Sequence, residues 1–385
     1  MIAPLPSVPA SVIRGRMYAR ARADRLPLSA EMEIIATCNY KCVHCYIAPC
    51  AAREDVMSVE SATVIFGKLA AAGTQSILLT GGEIFSHRKF KEIYLGAKRS
   101  GFNITLNTNA YFINQRWVDF LTEWPPFRVS ISLYGASAET YERVTGIPGS
   151  YARCMKAIDL LQRHGIAIDL KCPAMSLTND DMPAMKAFAE SRGVKWRNDD
   201  VLSPQEKGEM APLQLQLSPR QVVDLNKKLD PDLKDLREYA SKRVNGSLTD
   251  EVYKCGAGRT SLAINVHGGV TTCIASRQVV GNLLEQSFDE VWSALGGKVA
   301  VRFPSGHPCA TCKFSRMCAG CPATVESLTG LPTGYVQQYC KITHLRAYEL
   351  GYHPSGVPRT VTDGIPAGVP VPFESARRAL PVLTA

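Results

Sequence analysis

Ten of the 13 cysteines fall into tight groups, and those groups are where this chain could do chemistry. The first is Cys38-x3-Cys42-x2-Cys45, in the stretch IIATCNYKCVHCY. Three thiolates on one loop can hold three corners of a cubic iron–sulfur cluster, whose irons each normally take one thiolate. The fourth iron is then free to bind a small molecule, as a catalytic zinc keeps one open position. A zinc or redox-thiol site is the alternative, with His44 inside the loop as a candidate ligand, but the spacing favours the cluster. The second group reads Cys255-x12-Gly268-x4-Cys273, then Cys309-x2-Cys312-x5-Cys318-x2-Cys321, then Cys340. Two close pairs within such an array signal metal, a pair of structural four-thiolate zinc sites being the bland reading. Cys154 and Cys172 are isolated and read as buried structural thiols. Cys50 reads as an accidental neighbour of the first loop rather than a hydrogen donor.

The elements that must position the first loop alternate between short apolar runs and amphipathic stretches. Strands are expected at Glu33–Thr37, Ser76–Thr80, Asn103–Asn107, Arg128–Leu133, Ala167–Cys172 and Val194–Arg197, with helices near 57–72, 88–100, 113–123, 150–164 and 179–192. Six such units predict an α/β fold, a partial (β/α)6 TIM-type barrel, because right-handed crossovers wrap a parallel sheet this way. Ligands then sit at the C-terminal ends of the strands. Cys38 follows the first strand directly, and Gly81-Gly82-Glu83 follows the second. The glycines admit close approach to the backbone, and Glu83 could orient an ammonium group.

Cys38, Cys42 and Cys45 followed by Tyr46, together with Gly81-Gly82-Glu83, resemble the signature of the radical S-adenosylmethionine enzymes. The resemblance covers about residues 30–200. It implies a [4Fe–4S] cluster whose open iron chelates S-adenosylmethionine and whose electron cleaves it to a 5′-deoxyadenosyl radical. It also implies that Glu83 holds the methionyl ammonium and that Ser132, in VSISLYG, and Arg143 serve the ribose or carboxylate end. Thr108-Asn109 resembles the family's Thr-Asn-Gly turn, here with Ala110 in place of glycine. Lys171 on the fifth strand is a candidate partner for a carboxylate. Tyr134, where the family often has Asp, is given no role.

The second array resembles the SPASM extension of peptide-modifying members, a cysteine-rich iron–sulfur domain with two auxiliary [4Fe–4S] clusters. By that analogy Cys255, Cys273 and Cys321 hold the first, and Cys309, Cys312, Cys318 and Cys340 the second. The family has three residues between its last close pair, whereas Cys318 and Cys321 have two. Seven thiolates leave one iron open or otherwise ligated. The resemblance implies a ribosomally made precursor peptide as substrate, modified by a crosslink or similar change. It further implies a separate leader-peptide recognition protein that adds the leader as a strand, and a one-electron reductant such as flavodoxin or ferredoxin. A radical enzyme acting on a small molecule, by alcohol oxidation or tetrapyrrole modification, and a non-catalytic zinc-ribbon binding protein are the competing classes.

The 385 residues, 45% hydrophobic and 21% charged, exclude wholesale disorder and fit a core domain with an appendage. Expected boundaries are an irregular basic arm at 1–28, the radical core at 29–215, a linker at 216–250, the auxiliary-cluster domain at 251–345 and a Pro/Gly-rich tail at 346–385. No apolar run approaches the ~18 residues of a membrane span, and no secretory signal is evident, so a cytoplasmic location is expected. The net charge of +9 suits an acidic partner such as a peptide leader, and nothing supports nucleic acid. Much of the excess lies in the first 25 residues, which read as a solvated tail.

Overall fold

The computed structural model describes residues 9–47, 55–206, 208–244 and 248–352. Cys50 and most of the expected tail lie outside them. The sheet runs β1 (Ser29–Ile35), β2 (Ser76–Gly81), β3 (Asn103–Thr108), β4 (Arg128–Ser132), β5 (Ile168–Pro173) and β6 (Lys195–Asp199), all parallel and in sequential order. Connecting helices are α2 (Val59–Ala71), α3 (Phe90–Arg99), α4 (Gln115–Glu123), α5 (Ala138–Thr145), α6 (Ser150–Arg163) and α7 (Met182–Ser191). This is the expected partial barrel, open at β6.

Each strand sends one face to the helices and the other to the lumen. On β1, Ala30, Met32 and Ile34 are buried while Glu31 and Glu33 alternate with them, the period-2 pattern of a strand with unlike faces. Helix α2 supplies the matching stripe with Ala62, Ile65, Phe66 and Leu69, and Ser58 caps it by accepting from Ser61 N at 3.0 Å. β1 begins four residues before the expected Glu33 and ends at Ile35, because the two glutamates belong to the strand's lumen face and break its apolar run. Helix α5 was not expected. Its signals are present but short: the Ser137 cap and Gly146 at φ +68° to end it.

The cysteine-rich segment does not stand apart from the barrel. β7 (Ser261–Ile264) pairs in parallel with β1, and β8 (Gly269–Thr271) and β9 (Gly281–Asn282) continue the sheet antiparallel. Helices α10 (Phe288–Val299), α11 (Pro322–Thr329) and α12 (Gln337–Glu349) follow. Between barrel and array, in the stretch expected to be a linker, lie α8 (Pro219–Leu229) and α9 (Lys234–Ser241). This stretch is packed rather than a loose connection. Arg346 on α12 donates to Asn226 at 2.9 Å, and Lys227 pairs with Glu349 at 2.5 Å.

The arm expected to be irregular forms helix α1 (Ala10–Ala23). Its prolines stop at Pro9, immediately before the helix, and the stretch beyond is rich in Ala, Arg and Met, which favour helix. Its basic residues are not all solvated. Arg22 donates to the Cys255 carbonyl at 2.5 Å. Arg25 donates to the Gly258 and Trp292 carbonyls at 3.1 and 2.8 Å and stacks over the Trp292 ring, which donates back to the Arg25 carbonyl. Arg25→Ala should therefore loosen α1 from the C-terminal segment. The expected loss is about 1–2 kcal/mol, given charge-assisted bonds that are partly solvent-screened. Limited proteolysis should then cut within 10–23 faster in the variant than in the parent.

Candidate cysteine-lined active site

The end of β2 is pressed against the loop that leaves β1. Gly82 N donates to Ile35 O at 2.7 Å, and Glu83 N donates to Thr37 O at 3.0 Å. A Cβ on Gly81 would lie 2.1 Å from Ile35 O, and one on Gly82 would lie 2.1 Å from Thr37 O. Gly81 also has φ +129°. The two glycines thus permit backbone to meet backbone, a nearer cause than the close ligand approach expected from sequence.

Glu83 is fully buried, and its carboxylate is already engaged by the protein. It accepts from Thr108 Oγ1 at 2.7 and 2.9 Å, Asn109 N at 2.8 Å and Phe85 N at 3.0 Å. Burial pushes its pKa up to about 7 against the downward pull of those donors. The Glu83 side chain therefore also braces the turn after β3, and three donor groups leave its carboxylate with acceptor capacity to spare. From that turn Asn109 Nδ2 reaches Asn39 Oδ1 at 2.9 Å and Cys38 Sγ at 3.8 Å, and Tyr40 N donates to the same sulfur at 3.4 Å. Ala110 next to it sits at φ +64° with no exposure, a left-handed conformation that explains why a glycine suits this place.

Cys38, Cys42 and Cys45 come together. Burial raises the Cys38 thiol to about 12, with the Glu83 and Cys45 charges adding to it, and raises Cys42 strongly, with Cys45 and Cys38 adding. The loop hangs from the end of α5, Lys41 N and Val43 N donating to Thr145 O and Val144 O. The Tyr134 side chain hydrogen-bonds Cys42 and its ring lies 4.9 Å from His44. Tyr134 was given no role from sequence, and no spacing rule would have found it. His44 is half-buried, and desolvation lowers its pKa to about 4.

The remaining expected contacts are dispersed. Ser132 closes β4 beside Lys171, its ladder partner on β5. Arg143 is exposed in the last turn of α5. Tyr46 lies under Arg277 of the C-terminal segment, 4.8 Å from ring to guanidinium. Arg277 in turn pairs with Glu206 at 3.3 Å, and Glu206 N donates to Tyr46 O at 2.8 Å. A cavity of about 310 Å³ opens here, between Glu33 and Ile47 of the barrel and Ile264, Thr271 and Arg277 of the C-terminal segment.

The second array divides into two groups. Cys273 and Cys255 each feel Cys321, and Cys309 and Cys312 each feel Cys318 and Cys340. The cation of Lys254 lies against Cys318, Cys309 and Cys312, and its ammonium donates to Ser315 O at 2.7 Å. Tyr339 lies between the groups, facing Cys321 and Cys318. Cys154 and Cys172 are buried, as expected of structural thiols. Among the described residues no three His, Cys, Asp or Glu converge as ligands of one ion.

Residues 32–183 match the family model of the radical SAM superfamily, and residues 255–322 match that of the SPASM iron–sulfur cluster-binding domain. The chain is a radical SAM enzyme carrying a SPASM domain, and these domains imply [4Fe–4S] clusters and S-adenosylmethionine. It is similar to the AdoMet-dependent heme synthase of Methanosarcina barkeri, 24% identical over 82% of this chain and 95% of that protein. It is also similar to the antilisterial bacteriocin subtilosin biosynthesis protein AlbA of Bacillus subtilis, 27% identical over 77% of this chain and 67% of that protein. In fold it resembles Streptococcus suis SuiB bound to precursor peptide SuiA. The TM-score is 0.66 at 17% identity, over 87% of this chain and 81% of that one.

Gly82→Ala should displace the cysteine loop, since its Cβ would overlap backbone that has no free direction to move. The purified variant is expected to hold substoichiometric iron after anaerobic reconstitution. Glu83→Gln should destabilise by about 1–3 kcal/mol, because an amide NH₂ would face N–H donors. Chemical denaturation would measure that loss.

Proposed function

We propose that this enzyme modifies a ribosomally synthesised precursor peptide. Supporting this reading is the edge strand β6, on which Lys195, Arg197 and Asp199 are exposed and no further strand is paired. The naming of AlbA as a bacteriocin biosynthesis protein agrees with it. When bound at Cys38, Cys42 and Cys45, the cluster and S-adenosylmethionine supply a 5′-deoxyadenosyl radical that abstracts hydrogen from substrate. The chain's own part is positional. Gly81 and Gly82 hold the rim close, Glu83 fixes Thr108 and Asn109, and Asn109 and Tyr134 donate toward the cysteine sulfurs, a lever on cluster potential. The proposed contacts for S-adenosylmethionine are Gly81, Gly82, Glu83, Thr108, Asn109, Ser132, Arg143 and Lys171, with Tyr46 packed behind the loop.

The two cysteine groups of the SPASM domain are proposed to hold two auxiliary [4Fe–4S] clusters. Cys255, Cys273 and Cys321 leave one iron of the first without a cysteine, and the second is fully ligated. A separate leader-recognition protein and an external one-electron reductant complete the proposed system. The second reading is tetrapyrrole modification, favoured by the reach of the similarity over nearly all of the Methanosarcina heme synthase.

Incubating the reduced, reconstituted enzyme with S-adenosylmethionine and a short peptide encoded beside its gene should change the peptide's mass and release 5′-deoxyadenosine. A Cys38, Cys42, Cys45 triple alanine variant should release none. An unaltered peptide together with a decarboxylated porphyrin product would overturn the peptide reading.

A further inference from the structure

Helix α1 gives one face to the protein and another to solvent. Tyr18, Ala21, Arg22 and Arg25, spaced i, i+3, i+4 and i+7, anchor the first face. Ala21 is buried, Tyr18 Oη accepts from Thr260 Oγ1 at 3.4 Å, and the two arginines reach the Cys255 and Gly258 carbonyls. Ile13, Arg16, Met17 and Arg20 repeat that spacing on the other face and are all exposed, Met17 at 55%. The protein beneath the helix is basic as well. Arg22, Arg259 and Arg302 converge on Glu251 at 3.7, 3.4 and 3.4 Å, and Asp250 shares Arg302 at 3.2 Å. On the helix side Asp24 is paired with Arg20 at 3.1 Å. Guanidinium groups thus outnumber carboxylates across the patch. Cys255 lies among them, and it alone of the described cysteines is exposed.

The patch sits at the N-terminal end of the shared sheet. Ser29 N donates to Thr260 O at 3.1 Å, where β1 and β7 both begin, whereas the loop of Cys38, Cys42 and Cys45 leaves the C-terminal end of β1. A partner seated here is at the far end of the strands from the first cysteine loop, and the thiol it can approach is Cys255.

We propose that this face docks an acidic one-electron carrier protein, which passes its electron to the cluster proposed at Cys255, Cys273 and Cys321. The inference rests on the external reductant and the auxiliary cluster of the proposed function, and gives the reductant its place of binding. The carrier is oxidised by one electron, the cluster is reduced by one, and no bond or proton moves. Carboxylates on the carrier answer the surplus guanidinium charge and speed encounter, while Ile13 and Met17 supply apolar contact within the stripe. An anionic membrane would answer the same charges, but it makes no use of an exposed cluster ligand.

Interferometry and stopped-flow reduction with the reconstituted, full-length enzyme test this, using flavodoxin and a ferredoxin as probes. One of them should bind, more weakly as salt rises, and reduce iron–sulfur absorbance. In Arg16→Glu/Arg20→Glu both binding and reduction rate should fall about tenfold, while dithionite, which needs no docking, reduces parent and variant alike. Iron content and thermal melting check that this variant folds, and Arg302→Gln, off the helix, replaces it if not. Reduction by the carrier should persist in the Cys38, Cys42, Cys45 triple alanine variant. Its loss there would place electron entry at the first cysteine loop and overturn the proposal. A slowing shared by dithionite would trace to the cluster rather than to docking and would also overturn it. Equal binding and reduction of parent and charge-reversed variant would overturn the face and keep the external carrier. If neither probe binds or reduces the parent while dithionite does, both the face and the protein reductant fall. Phosphatidylglycerol vesicles that alone bind the parent and not the variant would assign the face to a membrane instead.

Discussion

A carboxylate without solvent holds the rim of this barrel in register. Burying an ionised Glu costs several kcal/mol unless donors replace its water, and Glu83 gathers Thr108 Oγ1 and the Phe85 and Asn109 amides. Two of those donors belong to the end of β3, so the cost is offset only when β2 and β3 end at matching heights. Asn109 then faces Cys38, and the geometry of the cysteine loop becomes a consequence of a bond made 45 residues further along the chain. Burial still outweighs the donors enough to raise the pKa to about 7, which marks the brace as one with little to spare.

Strand β1 is the second constraint. It pairs with β2 on one side and β7 on the other, so the radical core and the SPASM segment share one sheet and cannot shift independently at that seam. Two further ties reinforce it: Arg277 over Tyr46 behind the cluster loop, and α1 clasped by Arg22 and Arg25. A segment with sparse apolar periodicity thus borrows rigidity from the barrel as well as from whatever its thiols bind.

The six parallel strands were legible because their helix-facing residues are apolar runs bounded by turns, and the cysteine groups because thiol spacing is a local property. What escaped reading was set by distance in sequence. Nothing near Glu83 announces that Thr108 and Asn109 will donate to it, and nothing near Tyr134 announces Cys42. The basic arm was misread because charge suggested solvation, whereas Arg25 found carbonyls more than 230 residues away. β1 was clipped because its lumen glutamates resemble a strand boundary when the lumen itself is not yet known to be polar.

That polarity has a structural meaning beyond the ligands it could hold. In a closed eight-stranded barrel the interior is filled by layers of branched apolar side chains and acts as core. Here Glu31, Glu33, Lys171 and Arg197 occupy those positions, and the buried apolar cluster lies on the helix side of the sheet. β1, β5 and β6 therefore draw most of their hydrophobic stabilisation from the helix-facing side. A sheet released from packing inward is free to stay open at β6, which a filled barrel could not do without exposing its core. The charged lining and the missing strands are thus one design, in which interior packing is given up and the helices together with the shared β1 seam carry the stability.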